Sequence, residues 1–231
     1  PVENGFSRLK IQMKLDVENL VFDSEDLSTV NWSLQDASVN VTATPAPPDA
    51  ASMGILLTEN GTVGDPSIGR NLSDPRSELS VPYTFSIYAK AEGRRWLVLD
   101  LFDDLGYGRV WFDLQNGLVG TGTAYAPAGW SDAVGTIEPA SPDLGWGPDW
   151  FRCSMTVNTG SDPHLGYLIH LSNTDGQLAY QGDGVSGIRI RGPQVEASSF
   201  AHLYVPSGSE FIDFRNYKEV VARKRGGGAS A

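Results

Sequence analysis

Short alternations of apolar and polar residues recur along this chain of 231 residues, with a cluster of turn-forming residues between one and the next. The intervals are roughly 8 to 14 residues, and the clusters, such as TPAPPDAAS and ENGTVGDPSIG, are rich in Pro, Gly, Asp and Asn. Alternation with a period of two is typical of half-buried β-strands. The sequence therefore predicts an all-β fold, a jelly-roll β-sandwich with N- and C-terminal arms.

The clearest strand patterns lie in the second half of the chain and just before it, and helical periodicity is weak except in the tail at 211–222. Residues 1–18 are predicted to be an N-terminal docking arm, 19–206 the sandwich, and 207–231 a basic, partly flexible C-terminal extension. The predicted strands are 83–90, 95–101, 109–114, 117–123, 150–157, 166–171 and 187–195.

Alternation also separates the two sides of each predicted strand, because residues i and i+2 point the same way. One side is apolar, with Phe85, Leu99 and Val110 as examples, and is predicted to form the core. The other side combines Trp and Tyr with Arg and Asp, which suits a sugar ring with apolar faces and a rim of hydroxyls. The predicted ligand-binding residues are Tyr88, Trp111, Asp113, Trp150, Arg152 and Arg189.

Two other interpretations of the aromatic residues remain open. The aromatic residues of loops, Tyr125, Trp130 and Trp146, are a second candidate set for a glycan. Alternatively, loops or another subunit cover the tryptophans, with Arg side chains stacked on them. The substitution Trp111→Ala separates these interpretations, because it abolishes binding in a glycan site but lowers stability in a covered face.

The overall charge argues against two classes of partner. The formal net charge is −11 and the isoelectric point about 4.6, so the surface repels phosphate backbones and anionic lipids. Neither a nucleic-acid partner nor membrane insertion is predicted, and the chain has no apolar run long enough to span a membrane. A local cluster of Arg and Lys in 215–225 is the exception, and it is suited to an acidic surface.

Residues 182–187, GDGVSG, match the spacing G-x-G-x-x-G of nucleotide-binding loops. Such a loop needs a helix after its glycines, because the phosphates sit on free N–H groups at the helix N-terminus. Here Ile188, Arg189, Ile190 and Arg191 follow, which is the alternation of a strand. The stretch is therefore predicted to be a turn that leads into a strand, and no nucleotide cofactor is expected.

No catalytic or metal centre is predicted. Asp100, Asp103, Asp104 and Asp113 are close enough in sequence to form a carboxylate pair, as glycosidases require, but such pairs are common in acidic proteins. The three histidines are scattered, and no known hydrolase or zinc motif is present. The single cysteine, Cys153, excludes an intramolecular disulfide and is predicted to be buried. The chain is expected not to be an enzyme and to need no cofactor.

Five stretches, in this order and spacing, together resemble a recurring domain of bacteriophage virion proteins of the tail-fibre and head-spike type. They are NLVFDSEDLSTVNW at 19–32, YTFSIYAKA at 83–91, RVWFDLQNGLVGT at 109–121, DWFRCSMTV at 149–157 and GPQVEASSFAHLYVP at 192–206. The resemblance implies a concanavalin-like jelly roll, similar to carbohydrate-binding modules, located on the virion. Where this family usually has aromatic residues before Gly-x-Gln-x-Glu, this chain has Arg189 and Arg191.

The resemblance also implies a role and partners. The expected role is that of a non-enzymatic structural component of a phage, a fibre, spike or adaptor, which docks through residues 1–18 and 207–231 and presents a host-surface glycan site. The expected partners are copies of the same chain, most often as a trimer, and other virion proteins. The alternative is a carbohydrate-binding module or a capsid decoration protein without a receptor role.

Overall fold

A computed structural model of the chain describes residues 18–28, 31–40, 54–72, 78–125, 129–141 and 147–207. These residues form fourteen β-strands and no helix, so none of their segments is a helix that could cross a membrane. The strands are β1 (Ser33–Gln35), β2 (Ala37–Asn40), β3 (Ile55–Glu59), β4 (Val63–Gly64), β5 (Ser67–Asn71), β6 (Pro82–Glu92), β7 (Trp96–Phe102), β8 (Tyr107–Asp113), β9 (Leu118–Tyr125), β10 (Ser131–Pro139), β11 (Phe151–Asn158), β12 (Gly166–Ser172), β13 (Tyr180–Gln181) and β14 (Gly187–Glu196).

Two six-stranded antiparallel sheets contain most of these strands. The A sheet has the order β1-β5-β12-β7-β8-β9, and the B sheet has the order β10-β11-β6-β14-β3-β2. A small third sheet pairs β13 with β4. The predicted all-β jelly-roll sandwich is confirmed, and each predicted strand end lies within two residues of an observed one. The strands β1 to β5, β10 and β13 were not among the predicted ones.

The core lies between the two sheets, on the apolar side that alternation predicts. Phe85 of the B sheet meets Tyr167 of the A sheet edge-on, with ring centroids 5.7 Å apart. At Gly108 of β8, a Cβ atom would lie 2.6 Å from a methyl group of Val157 on β11, so only glycine allows this close approach of the sheets. Cys153 is fully buried in the same core, and this burial raises the pKa of its thiol.

The chain after β14 returns over the outer face of the B sheet as an eleven-residue segment, 197–207, here called the strap. Thr84 of β6 donates a hydrogen bond to the Ser198 carbonyl (2.9 Å), and the Val205 N–H donates to Gln194 Oε1 (2.7 Å). The N-terminal end of the described chain holds the strap from the other side, where Asn19 donates to the Val205 carbonyl (2.9 Å).

Some predicted features lie outside the described residues. These are residues 1–17 and 208–231, which make up most of the two predicted arms and include the helical pattern at 211–222. Trp146 of the loop candidates also lies outside them.

Candidate functional site

The six predicted ligand-binding residues do not share one surface, and the structure corrects that grouping. The A sheet carries Trp111 and Asp113, whereas the B sheet carries Tyr88, Arg152, Arg189 and, just before β11, Trp150. Alternation gives the side of a strand that faces away from the core, but both sheets have such a side. The residues therefore lie on opposite outer faces of the sandwich.

On the B sheet, the strap covers two of the four predicted residues, Tyr88 and Arg152. The ring of Tyr204 meets Tyr88 edge-on at 6.4 Å, and Arg152 stacks over Tyr88 while donating a hydrogen bond to the His202 carbonyl. Trp150 is only 7% exposed. Arg189 lies nearer the rim and pairs with Glu92 at 2.9 Å. Tyr88 and Arg152 therefore hold the strap against the B sheet.

On the A sheet, a loop covers Trp111. The indole Nε1 donates to the carbonyl of Gln177 at 3.2 Å, and the side chain is only 3% exposed. The same loop, residues 173–179, is fixed at its far side by Asp175, which accepts a hydrogen bond from the Thr121 N–H at 2.8 Å. Trp111 therefore packs beneath this loop, as the covered-face interpretation expects.

Asp113 closes the turn between β8 and β9. Its carboxylate accepts hydrogen bonds from Arg95, from the Asn116 side chain and from the Gln115 N–H. Burial alone raises the pKa of Asp113, but the hydrogen bonds from Arg95 and Asn116 outweigh it, so the pKa lies below its usual value. The carboxylate is held ionised in a structural role.

The other end of the A sheet is open, and three aromatic side chains lie there in one row. Phe102 of β7 is directly opposite Tyr107 of β8, and Tyr107 is directly opposite Tyr125 of β9. The rings of Tyr107 and Tyr125 are stacked, with centroids 5.7 Å apart and planes at 17°. Tyr125 is 56% exposed, and Tyr107 and Phe102 are half-buried. This row is here called the tyrosine platform.

A row of charged groups lies beside the platform. Arg109 sits 4.0 Å above the Tyr107 ring centre and pairs with Asp100 on the neighbouring strand at 2.8 Å. His170 of β12 lies between two carboxylates, with Nδ1 2.8 Å from Asp65 and Nε2 3.5 Å from Asp100. The row therefore alternates in sign across four strands or their ends, from Asp65 to Arg109.

Burial and hydrogen bonding act in opposite directions on His170. Its burial alone lowers the pKa, but the neighbouring Asp100 and Asp65 outweigh this effect and raise the pKa above the usual value. Among the described residues, Asp100 Oδ1 and Arg109 Nε are buried and make no hydrogen bond. The ion pair beside the platform thus keeps unused donor and acceptor capacity.

The glycine-rich stretch 182–187 is a turn, as its sequence predicts. Asp183 Oδ1 accepts hydrogen bonds from the N–H groups of Val185 (2.8 Å) and Ser186 (2.7 Å), and Glu59 accepts one from the Asp183 N–H (2.8 Å). Hydrogen bonds from Ser186 and Val185 hold the pKa of Asp183 below its usual value. These N–H groups bind the chain's own carboxylates, so the turn has none of them to offer a phosphate.

Within the described ranges, no group of three or more His, Cys, Asp or Glu side chains is arranged to hold a metal ion.

No protein-family model matches this chain, and no curated protein matches it. Several solved structures are similar in shape at low identity, among them the following three. The enzymatically active domain of tailspike protein 4 from bacteriophage CBA120 has 16% identity and a TM-score of 0.43, over 77% of this chain and 21% of that one. The module TmCBM61, solved in complex with β-1,4-galactotriose, has 9% identity and a TM-score of 0.44, over 78% and 99%.

The third structure comprises the CBM22-1 and GH10 modules of Clostridium thermocellum xylanase 10B with xylohexaose. It has 7% identity and a TM-score of 0.38, over 82% of this chain and 29% of that one. The chain thus spans about a fifth of the tailspike protein and less than a third of the xylanase. Its fold is assigned from its own sheet topology, and its function is inferred from its own residues.

Proposed function

We propose that this chain is a non-catalytic carbohydrate-binding β-sandwich whose ligand lies on the tyrosine platform. The observation that carries the proposal is the alignment of Phe102, Tyr107 and Tyr125 across three neighbouring strands of an open sheet face. Neighbouring strands are about 4.8 Å apart, so the row is about 10 Å long, which suits a short oligosaccharide. The apolar face of a sugar ring packs on aromatic rings, as in other ligand sites.

The charged row next to the platform supplies the polar half of such a site. Arg109 is stacked on Tyr107, so its guanidinium is held next to the rings of the platform. The guanidinium carries five N–H donors, and sugar hydroxyls are good acceptors. Asp100 pairs with Arg109 and is itself contacted by His170, which keeps the donor in place before a ligand arrives.

A binding role without catalysis is supported by the state of the carboxylates. A glycosidase needs one carboxyl that holds a proton and a second that acts as base or nucleophile. Here Asp100 is paired with Arg109, Asp113 with Arg95, and Asp103 accepts a hydrogen bond from Trp130 Nε1 at 2.9 Å. Each of these three carboxylates is therefore already engaged by a donor of the chain itself.

The biological setting is proposed from the sequence resemblance alone. We infer a structural component of a phage particle, a fibre, spike or adaptor, in which this sandwich meets a host-surface glycan. Docking through 1–18 and 207–231 and assembly into a trimer stay predictions. Virions assembled with chains truncated at either end test the docking, and normal incorporation of both truncations contradicts it.

The platform is tested by removing its rings one at a time. A glycan array identifies saccharides bound by the full chain, and calorimetry then compares Tyr107→Ala and Tyr125→Ala with the unsubstituted protein. We expect each variant to lose about fivefold in affinity, since one stacked ring contributes on the order of 1 kcal/mol.

Leu118→Ala is the matched control, because Leu118 is an exposed residue on the same strand as Tyr125 but at its other end. Its affinity should equal that of the unsubstituted chain. Unchanged affinity in both tyrosine variants, or no saccharide bound on the array, contradicts the proposal.

A further inference from the structure

A groove of about 380 Å³ lies on the outer face of the B sheet, on the side away from the tyrosine platform. Its floor is made by β10, β11 and the start of β6, and one wall is the beginning of the strap. The volume falls within the range of small-molecule sites, which is about 300–1,000 Å³. The lining residues that matter for a ligand are Val134, Thr136, Ser154, Thr156 and Phe200.

Among the described residues, none that lines this groove has a charged side chain. On the same face, the charged residues Arg152 and Glu196 are both bound to His202 of the strap, Arg152 to its carbonyl and Glu196 to its ring. A charged ligand would lose its hydration in the groove without gaining an ion pair. The lining therefore favours a neutral ligand.

Hydroxyl groups on the groove floor have unused hydrogen-bonding capacity. Thr84 donates its one proton to the Ser198 carbonyl, so in the 2.8 Å contact with Thr156 it is Thr156 that donates. The oxygen of Thr156 then keeps its acceptor positions for a ligand. In the 2.6 Å contact between Thr136 and Ser154, only one hydroxyl donates, and the proton of the other is available.

An aromatic ring stands beside these hydroxyls. Phe200 is 59% exposed, and the ring of His202, 4.3 Å away and tilted by 42°, supports it from the strap. Val134, which is also exposed, borders the groove on β10. A large apolar ring left accessible next to paired hydroxyls matches a ligand that has both an apolar face and a hydroxyl rim.

We propose that this groove is a second carbohydrate site, which takes a neutral saccharide of one or two rings. The sugar ring packs on Phe200, accepts a hydrogen bond from the Thr136 and Ser154 pair, and donates one to Thr156. Because the platform and the groove lie on opposite sheets, this chain binds two separate glycan segments.

The test uses neutral disaccharides (cellobiose, lactose and maltose) and, as a charged counterpart, digalacturonate. Binding to the full chain is followed by amide chemical shifts, which report each site separately. We expect at least one neutral disaccharide at millimolar concentration to shift the amides of Thr136, Ser154, Thr156 and Phe200, and digalacturonate to leave them unchanged.

Variants separate the groove from the platform. Phe200→Ala and the isosteric Thr156→Val should each weaken binding in the groove at least tenfold, and Thr156→Val leaves the bond from Thr84 to Ser198 in place. Leu203→Ala is the matched control, because Leu203 is 75% exposed on the same strap but does not line the groove. Tyr107→Ala should remove shifts at the platform and leave those of the groove.

Four results overturn the inference: groove amides that do not shift with any neutral disaccharide, equal shifts with digalacturonate, equal affinity in Phe200→Ala and Thr156→Val, or groove shifts that disappear in Tyr107→Ala. Shifts confined to the platform contradict the groove site and support the platform site. Shifts confined to the groove support the groove site and contradict the platform site.

Discussion

The two sheets carry similar side chains on their outer faces, yet the chain covers these faces differently. On the B sheet, the strap lies over the centre, where Tyr204 meets Tyr88 and the His202 carbonyl binds Arg152. On the A sheet, the loop 173–179 covers only the end with Trp111 and leaves the end with Tyr107 and Tyr125 accessible.

This difference separates aromatic residues that stabilise the fold from aromatic residues that are accessible to a ligand. Tyr88 and Trp111 are each contacted by a later segment that returns over their sheet. Tyr125, by contrast, lies on β9, the edge strand of the A sheet, where its ring contacts only one neighbouring tyrosine among the described rings. The path of the connecting segments, rather than the strand pattern, decides whether an aromatic residue is covered or accessible.

The largest expected effect contrasts the covered end of the A sheet with its open end. Trp111→Ala should destabilise the protein by about 3–5 kcal/mol, because it removes a large buried side chain and leaves a cavity beneath the loop. Tyr125→Ala, on the same sheet face, should cost less than about 1 kcal/mol, since most of its ring is exposed. Urea unfolding of both variants measures the difference.

The opposite outcome for Trp111→Ala is also informative. If its stability stays normal while saccharide affinity falls, then the loop 173–179 opens in solution and Trp111 belongs to the binding site. The contrast between the two ends of the A sheet would then be lost.

The next effect concerns the strap on the B sheet. The hydroxyl of Tyr204 contacts Glu25 and Ser24, and burial, followed by the charge of Glu25, raises its pKa. Tyr204→Phe keeps the ring and removes these bonds, so we expect a loss of about 1–2 kcal/mol. Amide exchange should rise in 198–205 without rising in β6. Leu203→Ala, a change at an exposed neighbour, is the control and should exchange normally.

Fast exchange of the strap already in the unsubstituted protein would contradict this expectation. The outer face of the B sheet would then be open in solution, and Tyr88 and Arg152 would again be candidates for ligand contact.

Half of the strands could be predicted from the sequence, because alternation records burial, which is a local property. Phe85, Ile87 and Ala89 point into the core because every second residue of β6 faces the other sheet. The edge strands β1 and β2 are short and partly exposed, so they show little alternation and were missed.

The platform could be predicted only in part. Asp100 and Arg109 lie on the polar sides of two strands joined by a short turn, so their pairing was within reach of a register argument. The contact of His170 with Asp65 and Asp100 could not be predicted in this way. β12 lies in the A sheet between β5 and β7, and both of these strands are far from it in sequence. The strap was equally hidden, since residues 197–207 have no periodic pattern that predicts where they lie.

The smallest expected effect tests the charged row of the A sheet through its pH dependence. The pKa of His170 is raised in the folded protein, as burial is outweighed by Asp100 and Asp65, while the unfolded value is about 6.5. Its contribution to stability is therefore fully present below about pH 6.5 and is lost as the pH rises through the folded pKa. A single proton limits the slope to about 1.4 kcal/mol per pH unit.

Urea unfolding of the unsubstituted chain and of His170→Gln between pH 5.5 and 8.5 measures this contribution. The stability difference between the two proteins should shrink as the pH rises. A difference that grows with pH would mean that His170 is buried in its neutral form. The Asp100 carboxylate would then rely on Arg109 alone, and Arg109 would be held less firmly above Tyr107.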